Sequence, residues 1–311
     1  MAVKVLRVLF PVLVMLAIGF FCRKTGAMDE KGAGQLKHLV TKIILPTAIF
    51  NALATATFDR STLALVGIML VMMIVSFALG FAMKPLMGEK FRRYIPFMVS
   101  VYEGGMMAYP LYTNLVGAEN LSHIAMLDIA GLIFGFSVYM SMLSQVDGGK
   151  PFTFRQMVRD SLHNPAFIAA VLGVICGALG LGRFLTEGGF GEVYSATVSL
   201  VTAAMSSMIL LLVGFDLRPS RDMLGPCLKT VVMRAVLQAV MILGVLWAVH
   251  RFVGQEPLLD TAVIIYMSAP ATFSMQSFVH SEDGGAYVST TNSLYCLVSI
   301  AVYAVMAGIG V

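Results

Sequence analysis

The stretch YEGGMMAYP, Tyr102 to Pro110, decides how this chain is read. It sits inside an apolar run that begins near Ile95 and continues to Val116, yet it holds a carboxylate, two adjacent glycines and a proline. Glycine lowers the cost of unwinding a helix, and proline removes an N–H and displaces a pairing. In hydrocarbon every backbone group must find a partner, so such an interruption persists only against protein or a water-filled cavity.

Composition places the stretch in hydrocarbon. Of 311 residues, 58% are hydrophobic and 12% charged, with a mean hydropathy of +0.86. A soluble domain carries about 25% charged residues, so too little polar surface remains to coat a water-soluble globule. The chain reads as an all-α polytopic membrane protein. Its net charge of +4 is small and dispersed, which argues against a nucleic-acid partner. Cys22, Cys176, Cys227 and Cys296 lie within or beside apolar runs and form neither a CxxC pair nor a metal-ligand spacing with His. They read as small buried hydrophobes, so no metal site or other cofactor is expected.

A bilayer span takes about 20 apolar residues, and ten runs qualify: 4–23, 37–56, 62–84, 94–117, 121–145, 165–182, 193–215, 227–251, 258–281 and 286–308. The first ends in Phe-Phe-Cys-Arg-Lys, with no small-residue cleavage site, and reads as a retained span. The polar connection 147–164 divides the chain into halves of five spans, 1–146 and 165–311.

Lys and Arg orient the spans. Fourteen fall after spans one, three, five and seven: Arg23, Lys24, Lys31, Lys37, Lys84, Lys90, Arg92, Arg93, Lys150, Arg155, Arg159, Arg218, Arg221 and Lys229. Five fall on the other side: Lys4, Arg7, Arg60, Arg183 and Arg251. Both termini are therefore expected on the outer side of a cytoplasmic membrane. Lys42 and Arg234 fall inside spans near the inner surface, where their long side chains can snorkel to the interface.

Five is odd, so related halves would enter the membrane from opposite sides as an inverted repeat, a pattern of secondary transporters. The fourth span of the second half supports this. It carries SAPATFSMQ, residues 268–276, with Pro270 answering Pro110 and with Ser268, Thr272, Ser274 and Gln276 as polar side chains. Matched interruptions point to a binding site between the halves.

The candidate substrate-binding residues are Glu103, Gly104, Gly105, Pro110, Pro270, Thr272, Ser274, Gln276, Asn51 and Asn292. Ser293 is a further cavity-lining candidate. An ionised acid at mid-membrane costs about 2.5–3.5 kcal/mol on insertion scales, so Glu103 must face the bundle interior. Three roles stay open for it: proton carrier, ligand of a cation or substrate, and hydrogen-bond donor to unwound backbone. Asp128, about seven residues into span five, is the second candidate for ion coupling, or else a structural contact near the outer surface. Gly131-x-x-x-Gly135 and Gly173-x-x-x-Gly177 suggest close helix contacts. No HExxH, GxSxG or GxxxxGK[ST] occurs, so neither an enzyme nor an ATP-driven pump is expected.

Several stretches together resemble the auxin efflux carrier family of the bile acid/sodium symporter-like superfamily. They are FPVLVMLAIGFFCRKTGAMDE (10–30), ILPTAIFNALA (44–54), HNPAFIAAVLGVICG (163–177) and LLVGFDLRPS (211–220). The resemblance implies ten transmembrane helices in two inverted five-helix repeats, with helices four and nine broken and crossing near the substrate. The short central loop resembles bacterial members, which are linked to malate, malonate and other small organic anions. The family's fourth-span pattern, Gly-Asn-Thr-Gly, four residues, then Pro, is met by Gly105 and Pro110, but Glu103 and Gly104 stand at the Asn and Thr positions. In the ninth, Ala269 and Pro270 match, and Ser274 stands at the Asn position. Both signature asparagines are replaced.

The expected function is secondary transport of a small organic solute by alternating access. An organic anion is the default, since helix N-termini favour negative charge. Proton coupling through Glu103 reconciles that default with a carboxylate at the site. Sodium coupling is the alternative, and a ligand-binding membrane sensor belongs to a different class. Besides solute, ion and lipid, a second copy in a homodimer is the remaining partner left open.

Overall fold

The computed structural model describes residues 2–147, 153–187, 189–217 and 221–310. Lys150 and Arg218 of the basic loops lie outside them. Helix accounts for 84% of the structure, and no strand occurs among the described residues.

Helix α1 spans Ala2–Thr25. Asp29 caps α2 by accepting the Gly32 N–H at 2.7 Å. This helix runs Glu30–Leu39, passes through a π-helical turn at Val40–Ile44 and continues as Leu45–Ala54. Asp59 caps α3 (Arg60–Met83) on the Thr62 N–H at 2.9 Å. The fourth run is broken, as its sequence requires: α4 covers only Ile95–Ser100, and α5 starts as a π turn at Gly104–Ala108 before continuing as Tyr109–Val116. Helix α6 runs Leu121–Phe134 and passes a third π turn, Gly135–Tyr139, into Met140–Leu143. The central connection holds a short helix, α7 (Phe154–Ser161).

The second half opens at Asn164-Pro165. Asn164 accepts the Ala166 and Phe167 N–H groups, and Pro165 takes the first helical position, where its missing donor costs nothing. Then follow α8 (Pro165–Ala178), α9 (Gly182–Thr186), α10 (Gly189–Thr202), α11 (Met205–Asp216), α12 (Leu224–Phe252), α13 (Pro257–Met267), a 3-10 stretch at Phe273–Phe278, and α14 (Glu282–Ile309).

Each of the ten runs contains helix; besides the broken fourth run, three depart from one continuous helix, as 165–182 leaves helix after Ala178. The run 193–215 is two helices, parted at Ala203 and Ala204, and the ninth run is α-helical only as far as Met267. Among the described residues, six stretches are long and apolar enough to cross a bilayer: Glu30–Ala54, Arg60–Leu86, Ala118–Leu143, Phe190–Asp216, Leu224–Phe252 and Glu282–Ile309. The molecule is a polytopic membrane protein.

Helix α12 shows why. Its outward stripe is Val232, Val236, Val240, Leu243 and Trp247, each at least 60% exposed, while Thr230, Arg234 and Gln238 are buried. An apolar outside over a polar inside is what hydrocarbon solvent selects.

Close helix approaches are set by small residues. A Cβ on Gly19 of α1 would lie 2.0 Å from the Leu211 carbonyl, and one on Gly214 of α11 would lie 2.1 Å from that of Leu16. Gly173 and Gly177 of α8 meet Leu53 of α2 in the same manner. Gly131 instead meets the Tyr266 hydroxyl, and Gly135 has open space.

Candidate functional site

Two helices end inside the protein and leave carbonyls without helical donors. They are α4 at Ser100 and α13 at Met267, and α12 lies across both ends. Arg234, 1% exposed, donates from its guanidinium to the carbonyls of Met98, Val101 and Ala269. One turn on, the Gln238 amide donates to the Val99 carbonyl at 2.6 Å and accepts the Tyr102 hydroxyl at 2.7 Å. The rings of Tyr102 and Tyr295 flank the guanidinium at 5.4 and 4.9 Å. A fixed cation therefore faces the negative ends of two helices. This corrects the snorkelling role expected of Arg234: the lipid-facing stripe of α12 is on the other side, and Arg234 points at the breaks. Lys42 is exposed, as expected of a snorkelling side chain.

The opposite ends of the breaks carry the opposite charge. Residues 101–103 leave helical geometry, and the Glu103 N–H donates to the Pro270 carbonyl at 2.8 Å, joining one interruption to the other. The Glu103 carboxylate then accepts the Met106 N–H at 3.2 Å through Oε1 and the Phe273 N–H at 2.6 Å through Oε2. Of the three roles left open for it, the donor to unwound backbone is reversed: the carboxylate accepts. One backbone N–H after each interruption, that of Met106 and that of Phe273, thus converges on this one side chain.

Asp128 ties the same two segments together. It accepts the hydroxyl of Tyr109, on α5, at 2.8 Å and that of Tyr266, on α13, at 2.6 Å. A Cβ on Gly104 would lie 2.7 Å from the Asp128 carboxylate, so only glycine lets the acid come this close. Asp128 is no contact near the outer surface; it belongs to the crossing.

A cavity of about 320 Å³ opens beside these groups. Glu103, Gly104, Gly105, Thr272, Ser274 and Asp128 all line it, so six of the expected site residues come together. Its basic-loop side is marked by Lys37 and Asn164, and aromatic wall is supplied by Tyr102, Phe136, Tyr139 and Phe273. All three π turns border it, through Thr41, Gly104 and Gly135. The Lys37 ammonium stands 3.7 Å from Asp216.

The remaining expected residues lie elsewhere. Pro110 is buried at the start of the α-helical part of α5, past the first break, and Pro270 is buried within the second. Gln276, Asn292 and Ser293 border a void of about 20 Å³, the size of a single water. Asn51 lines a separate cavity of about 700 Å³ with Thr113, Asn114, Glu119 and Ser206. Along α5, Gly104 to Met106 line the first cavity and Thr113 and Asn114 the second, and residues 107–112 between them are buried.

Arg234, Gln238 and the paired tyrosines were not among the expected site residues. The spacing of Arg234 and Gln238, one turn apart within an apolar run, was the available signal. Among the described residues, no cluster of His, Cys, Asp and Glu has the makings of a metal site.

The model of the membrane transport protein family matches residues 4–304, nearly the whole chain, and the protein belongs to that family. This is the auxin efflux carrier family that the sequence resembles. An uncharacterized transporter of Methanothermobacter thermautotrophicus is 24% identical over 200 residues, covering 62% of this chain. The chain spans 64% of that relative's length.

Proposed function

We propose that this member of the membrane transport protein family is a secondary transporter of a small organic solute, working by alternating access between two inverted five-helix halves. The observation that carries the reading is the junction of the two interruptions, hydrogen-bonded to each other between two polar cavities. Helix pairing supports the repeat. The first span of one half packs on the second span of the other half twice over, as α1 with α11 and as α8 with α2. The basic-loop asymmetry supports a cytoplasmic membrane with both termini outside.

Glu103 is the coupling group, and the proton is its ion. Sodium at such a crossing needs free carbonyls at the helix C-termini, and Arg234 and Gln238 already occupy those of Met98, Val99, Val101 and Ala269. The anionic default loses its footing in the same way, because the N–H groups that would receive an anion hold Glu103.

In proteoliposomes, Glu103→Gln is expected to keep counterflow at saturating solute and to lose uptake driven by a pH gradient. Unchanged pH dependence would sink proton coupling. Binding without counterflow in the native protein would favour a sensor instead.

A further inference from the structure

The charges that face the crossing are unequal. The 320 Å³ cavity is lined by the carboxylates of Glu103 and Asp128 and by one base, Lys37. That base is already shared with Asp216. Arg234, the remaining buried cation, is turned to the carbonyls behind the breaks and does not line the cavity. The phenols of Tyr102 and Tyr139 are at the wall, and those of Tyr109 and Tyr266 donate to Asp128. The second cavity repeats the pattern: Glu119 is its one charged lining residue, among the amides and hydroxyls of Asn51, Asn114, Ser122 and Ser206. Neither cavity offers an unshared base.

From this lining we infer that the solute is an organic cation, an ammonium or guanidinium compound, exchanged for protons at the Glu103–Asp128 pair. The inference rests on the crossing being the transport site. Each Glu103 oxygen accepts one N–H and keeps a second lone pair for a ligand in the cavity. A cationic head group there meets two carboxylates and aromatic faces, the surroundings that recognise alkylammonium ions. A carboxylate solute meets two like charges, and Glu103 itself holds the Met106 and Phe273 N–H groups. A proton and a cation compete for the same oxygens, so one proton leaves to solvent for each monovalent cation that binds. Release of the cation on the other side returns the site to a proton.

The test uses purified full-length protein in proteoliposomes with lumenal pyranine. Three sets of probes are compared: choline, guanidinium and putrescine; the neutral carbon isostere of choline, 3,3-dimethylbutan-1-ol; and acetate and malonate. Saturable thermal stabilisation measures binding, and pyranine measures proton movement. At least one cation is expected to bind and to move protons, with neutral and anionic probes inert. Glu103→Gln should raise the cation Kd about ten- to a hundredfold, the loss of one charge-assisted contact. Asp128→Asn, which keeps an acceptor for one tyrosine and offers the other an amide N–H, guards against a folding defect in the first variant and should weaken the cation alike. Carboxylate-driven proton movement beyond that of protein-free vesicles, absence of binding by every cation, or cation binding unchanged in both variants overturns the inference. Cation binding without proton movement keeps the solute class and overturns the transport reading instead.

Discussion

Arg234 shows what one residue contributes and why its role was hard to read. Near the end of an apolar run, an arginine that snorkels and one that turns inward look the same. What separates them is the set of carbonyls at Met98, Val101 and Ala269, which are remote in sequence and exist as orphans only because two helices stop. Glu103 was easier, because an acid beside Gly-Gly has no lipid-facing reading. Arg234→Met removes the donor from three buried carbonyls. At about 1–3 kcal/mol for a buried group left unpaired, the variant is expected to lose roughly 3 kcal/mol or more, seen as a lower melting temperature in detergent. Arg234→Lys should recover little of this, since one ammonium on a flexible stem lacks the planar fork that reaches carbonyls of both breaks.

At the scale of elements, the six long apolar helices were legible because their length and hydropathy answer directly to bilayer thickness. Both breaks were legible from Gly-Gly and proline. Two features were not. The parting of α10 from α11 falls at Ala203-Ala204, residues that carry no turn chemistry. The three π turns each store one surplus residue without a sequence mark. Close packing by glycine was partly legible, at Gly173 and Gly177 but not at Gly135. The pair α1 and α11 provides a test. A Cβ at Gly214 meets backbone, which cannot step aside, so Gly214→Ala is expected to cost about 1–3 kcal/mol. Gly67→Ala, in open space on α3, should be neutral or slightly stabilising in the same melting assay.

At the scale of the whole molecule, a second junction lies on the basic-loop side. Asp147, with its side chain 5% exposed, pairs with Arg93 at 3.2 Å. It also accepts the Tyr94 hydroxyl and the His280 and Ser281 N–H groups, and Lys90 reaches Asp283 at 2.7 Å nearby. The end of α6 is thereby fastened to the loops before α4 and before α14. Burial raises the Asp147 carboxyl, but the hydrogen bonds from Tyr94, Ser281 and His280, with Arg93, outweigh it and hold the group below the usual carboxylate range. A lowered carboxyl contributes stability above the unfolded value of about 3.9 and loses it as pH falls through the folded value. Asp147→Asn should therefore lower the melting temperature at pH 7 and flatten its decline toward pH 3. This junction was illegible in advance because its partners come from three separate loops. The opposition of the breaks, by contrast, followed from the parity of five spans and two matched prolines.

The paired fixed charges at the crossing carry one more consequence. An elementary charge moved through the membrane potential costs about 2.3 kcal/mol per 100 mV. With a proton or a monovalent cation on Glu103 the crossing carries the same charge in either direction, so the field work of the exchange cancels. A one-for-one exchange at such a crossing ignores voltage and answers to concentration alone. A potassium diffusion potential set with valinomycin should leave the native exchange flux unchanged, and a flux that follows the sign of the potential would overturn the one-for-one stoichiometry.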